Sequence, residues 1–79
     1  METIEEIFSD ILKFMRISEE QIRPEASFVT DFHFKDVDFI CLILYINIYF
    51  KINIKEKDYV ELKTVGSAID FIKRKLNVN

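Results

Sequence analysis

Few side chains in this chain can do covalent or proton-transfer chemistry. Its one histidine is His33, its one cysteine is Cys41, and no Ser or Thr occurs between Asp31 and Lys63. A catalytic nucleophile needs a base within hydrogen-bonding reach, held by a third group, and no spacing here suggests such a set. No Cys/His cluster has the spacing of a zinc site, and Gly66, the sole glycine, cannot make a phosphate-cradling loop. The expectation is a protein that is not an enzyme and holds no metal. A lone Cys is ordinarily a small buried hydrophobe. His33 reads as an exposed loop residue, with a pH-sensitive contact as the alternative. Tyr45 and Tyr49 stand one helical turn apart and suit either an interface or the edge of a core, since each joins apolar area to one polar tip.

These groups must be positioned by very little chain. Its 79 residues allow one small domain, 1–79, and no second core. An apolar share of 49% with eight Phe and three Tyr excludes disorder. One Gly and one Pro are too few turn residues for a sandwich or barrel of many short strands. A single Cys makes no internal disulfide, so packing alone holds the fold. In a chain this short a core rarely supplies more than ~3–5 kcal/mol net, which leaves few core positions dispensable.

Charge narrows the partners. Eleven Lys and Arg against fourteen Asp and Glu give a net charge of −3, whereas nucleic-acid binding asks for a basic face. The one basic run, Lys73-Arg74-Lys75, reads as a solvated helix C-terminus, where cations complement the helix dipole. The start of the chain is acidic and unlike a signal peptide. The uncharged run from Phe39 to Phe50 is shorter than the roughly 20 residues of a membrane span. A soluble, cytoplasmic protein is expected.

Residues 3–16 predict an amphipathic helix. Thr3 and Glu6 have capping-box spacing. Ile4, Ile7, Ile11 and Phe14 recur at helical spacing, with Phe8, Leu12 and Met15 widening the stripe. Residues 17–35 form a long connection interrupted by Pro24. Its Ile17, Ile22, Phe28, Val29, Phe32 and Phe34 predict that it packs over the core rather than hanging free. Residues 36–50 are ambiguous. From Tyr45 to Ile54 apolar and polar or tyrosine residues alternate with a strand's period of two. A helix instead puts Phe39, Leu42, Ile43, Ile46 and Phe50 on one face, with Asp36 or a neighbour as N-cap. Glu56 to Leu62 suits one or two short helical turns. Thr64 suits the N-cap of a last helix with Val65, Ala68, Ile69, Ile72 and Leu76 inside.

In this order the segments resemble an acyl carrier protein over nearly the whole chain. Leu62-Lys63-Thr64-Val65-Gly66-Ser67-Ala68-Ile69-Asp70-Phe71-Ile72 is similar to the family's Thr-Val-Gly-Asp-Ala-Val-Asp-Tyr-Ile ending. Ile22-Arg23-Pro24-Glu25-Ala26-Ser27-Phe28 resembles its loop leading to an Asp-Leu pair, here Asp31-Phe32. Phe50-Lys51-Ile52-Asn53-Ile54 resembles the Phe-x-x-x-Ile that closes its second helix. The resemblance implies an all-α, four-helix bundle with a long loop between helices one and two, and it favours helix for residues 36–50. Gly66 then permits close packing at the start of the last helix.

The resemblance also shows what this chain lacks. The family's working centre is Asp-Ser-Leu at the head of helix two, where the Ser hydroxyl carries a 4′-phosphopantetheine arm. The matching residues are Lys35-Asp36-Val37. Phosphoryl transfer to the Asp36 carboxylate would give a hydrolysable mixed anhydride, not a stable ester, so Asp36 is expected to stay unmodified and no cofactor is expected. Its expected role is a helix cap. The family's second helix docks on basic enzyme surfaces through an acidic outward face. Here Asp38 is the last charge before Lys51, and Val37, Ile40, Cys41, Leu44, Asn47 and Ile48 fall away from the core-facing set. A helix apolar on nearly all sides must be covered by something. The function expected is an arm-less, protein-binding relative near fatty-acid or polyketide-type enzymes, with a homodimer as its simplest form. The alternative is a genuine acyl carrier in a lipid pathway whose cargo is held at an unusual residue or without a covalent bond.

Overall fold

The computed structural model describes residues 2–77. Among these, α1 spans Ile4–Phe14, α2 spans Asp36–Phe50 and α3 spans Val65–Lys75, with a 3₁₀ helix at Glu56–Glu61 between the last two. A single 3₁₀ turn, Glu19–Gln21, interrupts the long connection. This is the all-α four-helix arrangement that the resemblance implied. One isolated antiparallel bridge joins Ser27 to Thr64.

α1 forms where its sequence asks it to. The Glu6 backbone N–H donates to Thr3 Oγ1 at 3.1 Å, and the Thr3 N–H donates to Glu6 Oε1 at 2.8 Å. Both donors would otherwise be orphans of the first turn. Phe8, Ile11 and Leu12 are buried, but Phe14 is not: the ring placed by periodicity in the buried stripe is 72% exposed. It sits in the last turn, where its ring packs edge to face on Tyr45 of α2. α3 is capped in the same manner by Thr64, whose Oγ1 accepts the Ser67 N–H at 3.1 Å. Val65, Ala68 and Ile72 are buried as expected, while Ile69 and Leu76 are half-buried. Phe71, absent from the expected inner face, is 3% exposed because α3 also packs against the 3₁₀ helix on that side.

α2 resolves its ambiguity as helix through Phe50, ending at Lys51 in a left-handed conformation (φ 56°). Leu42, Ile43, Ile46 and Phe50 enter the core. The alternation beyond Tyr45 finds no strand to pair with, and the helix satisfies its own backbone. The long connection lies over the core through Phe28, 1% exposed, which meets the rings of Phe8, Phe32, Phe34 and Phe39 at centroid distances of 5.7 to 6.4 Å. Ile17 and Phe32 are buried with it, whereas Val29 is 70% exposed. The loop is laced to the start of α3: Gly66 N–H donates to the Pro24 carbonyl at 2.8 Å, Val65 N–H to Ala26 at 3.0 Å, and Phe28 N–H to Lys63 at 3.1 Å. A Cβ on Gly66 would stand 3.0 Å from the Pro24 carbonyl oxygen, so the glycine does permit the close approach.

Candidate functional site

The head of α2 corrects one expectation. Asp36 does not cap the helix: Lys35 is the N-cap residue, and it is the Asp38 carboxylate that accepts the Lys35 backbone N–H, at 2.9 Å. A lysine cannot accept a hydrogen bond, so only the returning half of a capping box forms. Asp36 occupies the first helical position, exposed, where its charge complements the helix dipole.

No hydroxyl stands at that position. The aliphatic hydroxyl of Ser27 shares with Asp36 a crevice of about 350 Å³. Ser27 Oγ accepts the Thr30 N–H at 3.1 Å within its own loop. Cys41 lies farther into the helix and is half-buried. The residues at the head of α2 therefore do not supply the ester-forming group that the family's phosphopantetheine arm requires. The crevice itself was not anticipated. Phe28, Phe34, Phe39, Tyr59, Val60 and Leu62 give it apolar walls, and Lys35 and Lys63 also line it. Its far wall comes from the 3₁₀ helix, whose approach to α2 is a long-range fact with no local spacing to announce it.

Along α2 the outward residues divide. Val37 is 64% exposed, Ile40 51%, Leu44 54% and Ile48 66%, and their spacing sets them in one line along the helix. Cys41 is half-buried beside them. Asn47 departs from the expected set: it is half-buried, and its Oδ1 accepts the Ile54 N–H at 2.9 Å, binding the end of α2 to the chain that leaves it. Tyr45 is half-buried and packs edge to face against Phe14 at 5.5 Å, while Tyr49 is 62% exposed. His33 is exposed, with φ 58° in the loop before α2.

The basic run at the end of α3 is not simply solvated. Lys73 Nζ donates to Glu5 Oε2 at 2.7 Å, tying α3 to α1, and Arg74 pairs with Glu61 on the 3₁₀ helix. The Lys73 ammonium holds the Glu5 carboxyl below its ordinary range, and Glu5 in turn raises Lys73. Among the described residues no group of His, Cys, Asp and Glu is arranged to hold a metal, and no helix is long and apolar enough to cross a membrane.

No protein-family model matches the chain. An acyl carrier protein of Chlorobium phaeobacteroides (strain DSM 266 / SMG 266 / 2430) is 31% identical to it over 71 residues, covering 90% of this chain and 91% of that relative. With the helix order, the loop laced to α3 and Gly66 against Pro24 all in place, the chain belongs to the acyl carrier protein family.

Proposed function

We propose that this chain is an arm-less member of its family, a cytoplasmic protein-binding module that docks through the outward face of α2 beside enzymes of the fatty-acid or polyketide type. The observation that carries the reading is the line of Val37, Ile40, Leu44 and Ile48, each more than half exposed. A contiguous exposed apolar patch marks an interaction site more often than an accident of composition. Asp36 at the acceptor position supports the arm-less half of the reading, because no ester can form there.

Two experiments test it. Leu44→Glu with Ile48→Glu should leave the helical circular dichroism intact and abolish association, seen by sedimentation of the protein alone and mixed with purified condensing enzymes. Association of the unaltered protein should change little with salt, as apolar contact does and charge-steered docking does not. Unfolding of the double variant would place these residues in the core and end the docking claim. Separately, treatment with coenzyme A and a phosphopantetheinyl transferase should leave the intact mass unchanged. Asp36→Ser alone should convert poorly, since Lys35 and Val37 also depart from the pattern such enzymes read. A gain of the arm's mass on the unaltered protein, at Ser27 or elsewhere, would defeat the arm-less reading.

The crevice beside Asp36 favours a second reading, in which acyl cargo is held without a covalent bond. Its apolar walls suit an alkyl chain, and Lys35 or Lys63 suits a carboxylate. Retention of a fatty acid in native mass spectrometry, lost on Val60→Glu, would favour this carrier over the docking module.

A further inference from the structure

Where α1 and α2 run side by side they leave a second open crevice, of about 220 Å³, lined by Ile7, Asp10, Ile11, Phe14, Tyr45 and Tyr49. Ile11, 5% exposed, ties it to the core. The rings of Phe14 and Tyr45 stand at 90° with centroids 5.5 Å apart, forming an aromatic corner, and Tyr49 lies one turn along α2 from Tyr45. The core does not account for this arrangement, since Phe14 is 72% exposed and Tyr49 62%.

The only charged side chain in the lining is the Asp10 carboxylate. An adjoining hollow adds Glu2 and Glu6 on the far side of Asp10. Asp10 raises the Glu2 carboxyl above its ordinary range, first through a side-chain hydrogen bond between the two carboxyls, with like-charge repulsion adding to it. Among the described residues Lys13 is the one cation at hand, 3.7 Å from Asp10, but it also serves Glu19 at 3.8 Å and leaves the Asp10 side chain 59% exposed. Aromatic faces, a carboxylate still more than half exposed and an excess of negative charge all favour one class of ligand, an organic cation.

We propose that this crevice seats the guanidinium of an arginine carried by the protein that docks on the adjoining face of α2, an assignment that rests on the docking reading above. A planar guanidinium stacks on a ring face while its edge N–H groups reach a carboxylate. A lysine ammonium is compact and strongly hydrated and uses the ring faces less well. An apolar side chain would cover Asp10 without giving its carboxylate a partner, and a neutral amide would donate to it without offsetting its charge. Tyr45 and Tyr49 belong to the same helix as Leu44 and Ile48, so crevice and apolar line form one continuous surface. The partner is then an apolar ridge flanked by one arginine, a single exposed ionic contact at the rim of an apolar surface, so salt weakens docking only slightly.

The test is an NMR titration of the ¹⁵N-labelled protein with N-acetyl-arginine methylamide, and with the citrulline counterpart, which keeps the shape and loses the charge. Saturable shifts should appear around Asp10, Phe14, Tyr45 and Tyr49. The citrulline compound should bind roughly fivefold or more weakly, the scale of a partly exposed cation–π contact with a nearby charge. Asp10→Asn and Phe14→Leu, both at exposed positions, should each weaken the arginine compound without changing the circular dichroism. Equal binding of the citrulline compound, or no saturable binding of the arginine compound, overturns the proposal. Tighter binding of tetramethylammonium than of the arginine compound overturns the choice of arginine. The Leu44→Glu, Ile48→Glu variant should still bind the arginine compound. A failed titration with docking intact sinks only the crevice, whereas lost docking claims with a working titration leave the crevice standing.

Discussion

α1 and α2 lie against each other and use apolar residues in opposite ways. α1 buries Phe8, Ile11 and Leu12 and turns Glu5, Glu6, Asp10 and Lys13 to water, acids in the first turn and base in the last. α2 buries Leu42, Ile43, Ile46 and Phe50, and then presents Val37, Ile40, Leu44 and Ile48 on the opposite side. Phe14 apart, the core explains the apolar content of α1. In α2 it leaves Val37, Ile40, Leu44 and Ile48 each more than half exposed. The comparison breaks most sharply on two leucines two positions apart. Leu42 is 0% exposed, and Leu42→Ala should cost about 2–5 kcal/mol. In a domain this small that is enough to leave much of the protein unfolded at room temperature. Leu44, 54% exposed, makes the same chemical change at a cost within about 0.5 kcal/mol. Urea midpoints of the two variants decide it. Equal losses would mean the outward face is structural.

The two helices also end differently, and this gives the intermediate effect. α1 closes locally, with the Met15 N–H returning to Ile11 and Leu12. α2 is tied by a side chain, the Asn47 amide, to Ile54 N–H seven residues on. Ile54 is buried, so a lost partner leaves its donor poorly hydrated. Asn47→Ala should therefore cost about 1–3 kcal/mol, more than an exposed helical position and less than Leu42→Ala. Faster amide exchange of Ile54 in the variant is the specific sign. An unchanged midpoint would return Asn47 to the outward, partner-facing set.

What could be read from the sequence follows the same division. α1 and α3 were legible because their signals are local: Thr3 with Glu6, Thr64 ahead of a helical apolar face, and one apolar stripe with one wet side. Residues 36–50 were not, because a segment apolar on both faces satisfies a period of two as well as 3.6. The family resemblance, not periodicity, pointed to helix there. Phe14 and Phe71 were misplaced for a related reason. Helical angle gives the direction of a side chain but not whether a neighbour extends far enough to cover it. At the end of α1 Phe14 meets Tyr45 edge to face yet stays 72% exposed, whereas the 3₁₀ helix lies over Phe71. At the head of α2, the absence of a hydroxyl was plain from residue types alone. The cap was misassigned to Asp36 because Asp36 and Asp38 are both acceptors, and only backbone geometry tells which one reaches back to Lys35.

The smallest expected effect concerns what holds α1 to α3 on the wet side, where α2 has no counterpart. Lys73 Nζ donates to Glu5 Oε2 at 2.7 Å across the two helices. Lys73 lowers the Glu5 carboxyl from its ordinary range, so the pair's contribution is present above the unfolded carboxyl range and is lost as pH falls through the lowered folded value. Glu5 raises Lys73, so the same contribution is present below the unfolded amine range and is lost as pH rises through the raised folded value. Between those limits it is flat. Both groups are solvent-accessible, and an exposed pair contributes little in water. Glu5→Gln should thus lower the thermal midpoint only slightly at about pH 7, and the gap from the unaltered protein should close as pH falls through the carboxyl's lowered folded value. Added salt should narrow it as well. The double variant Glu5→Gln, Lys73→Met should lose no more than Glu5→Gln alone, because one interaction is being removed twice. A gap that persists at low pH would mean Glu5 acts through packing rather than charge. The wet faces of α1 and α3 would then hold the fold as firmly as the dry face of α2 does, and the contrast between the helices would soften accordingly.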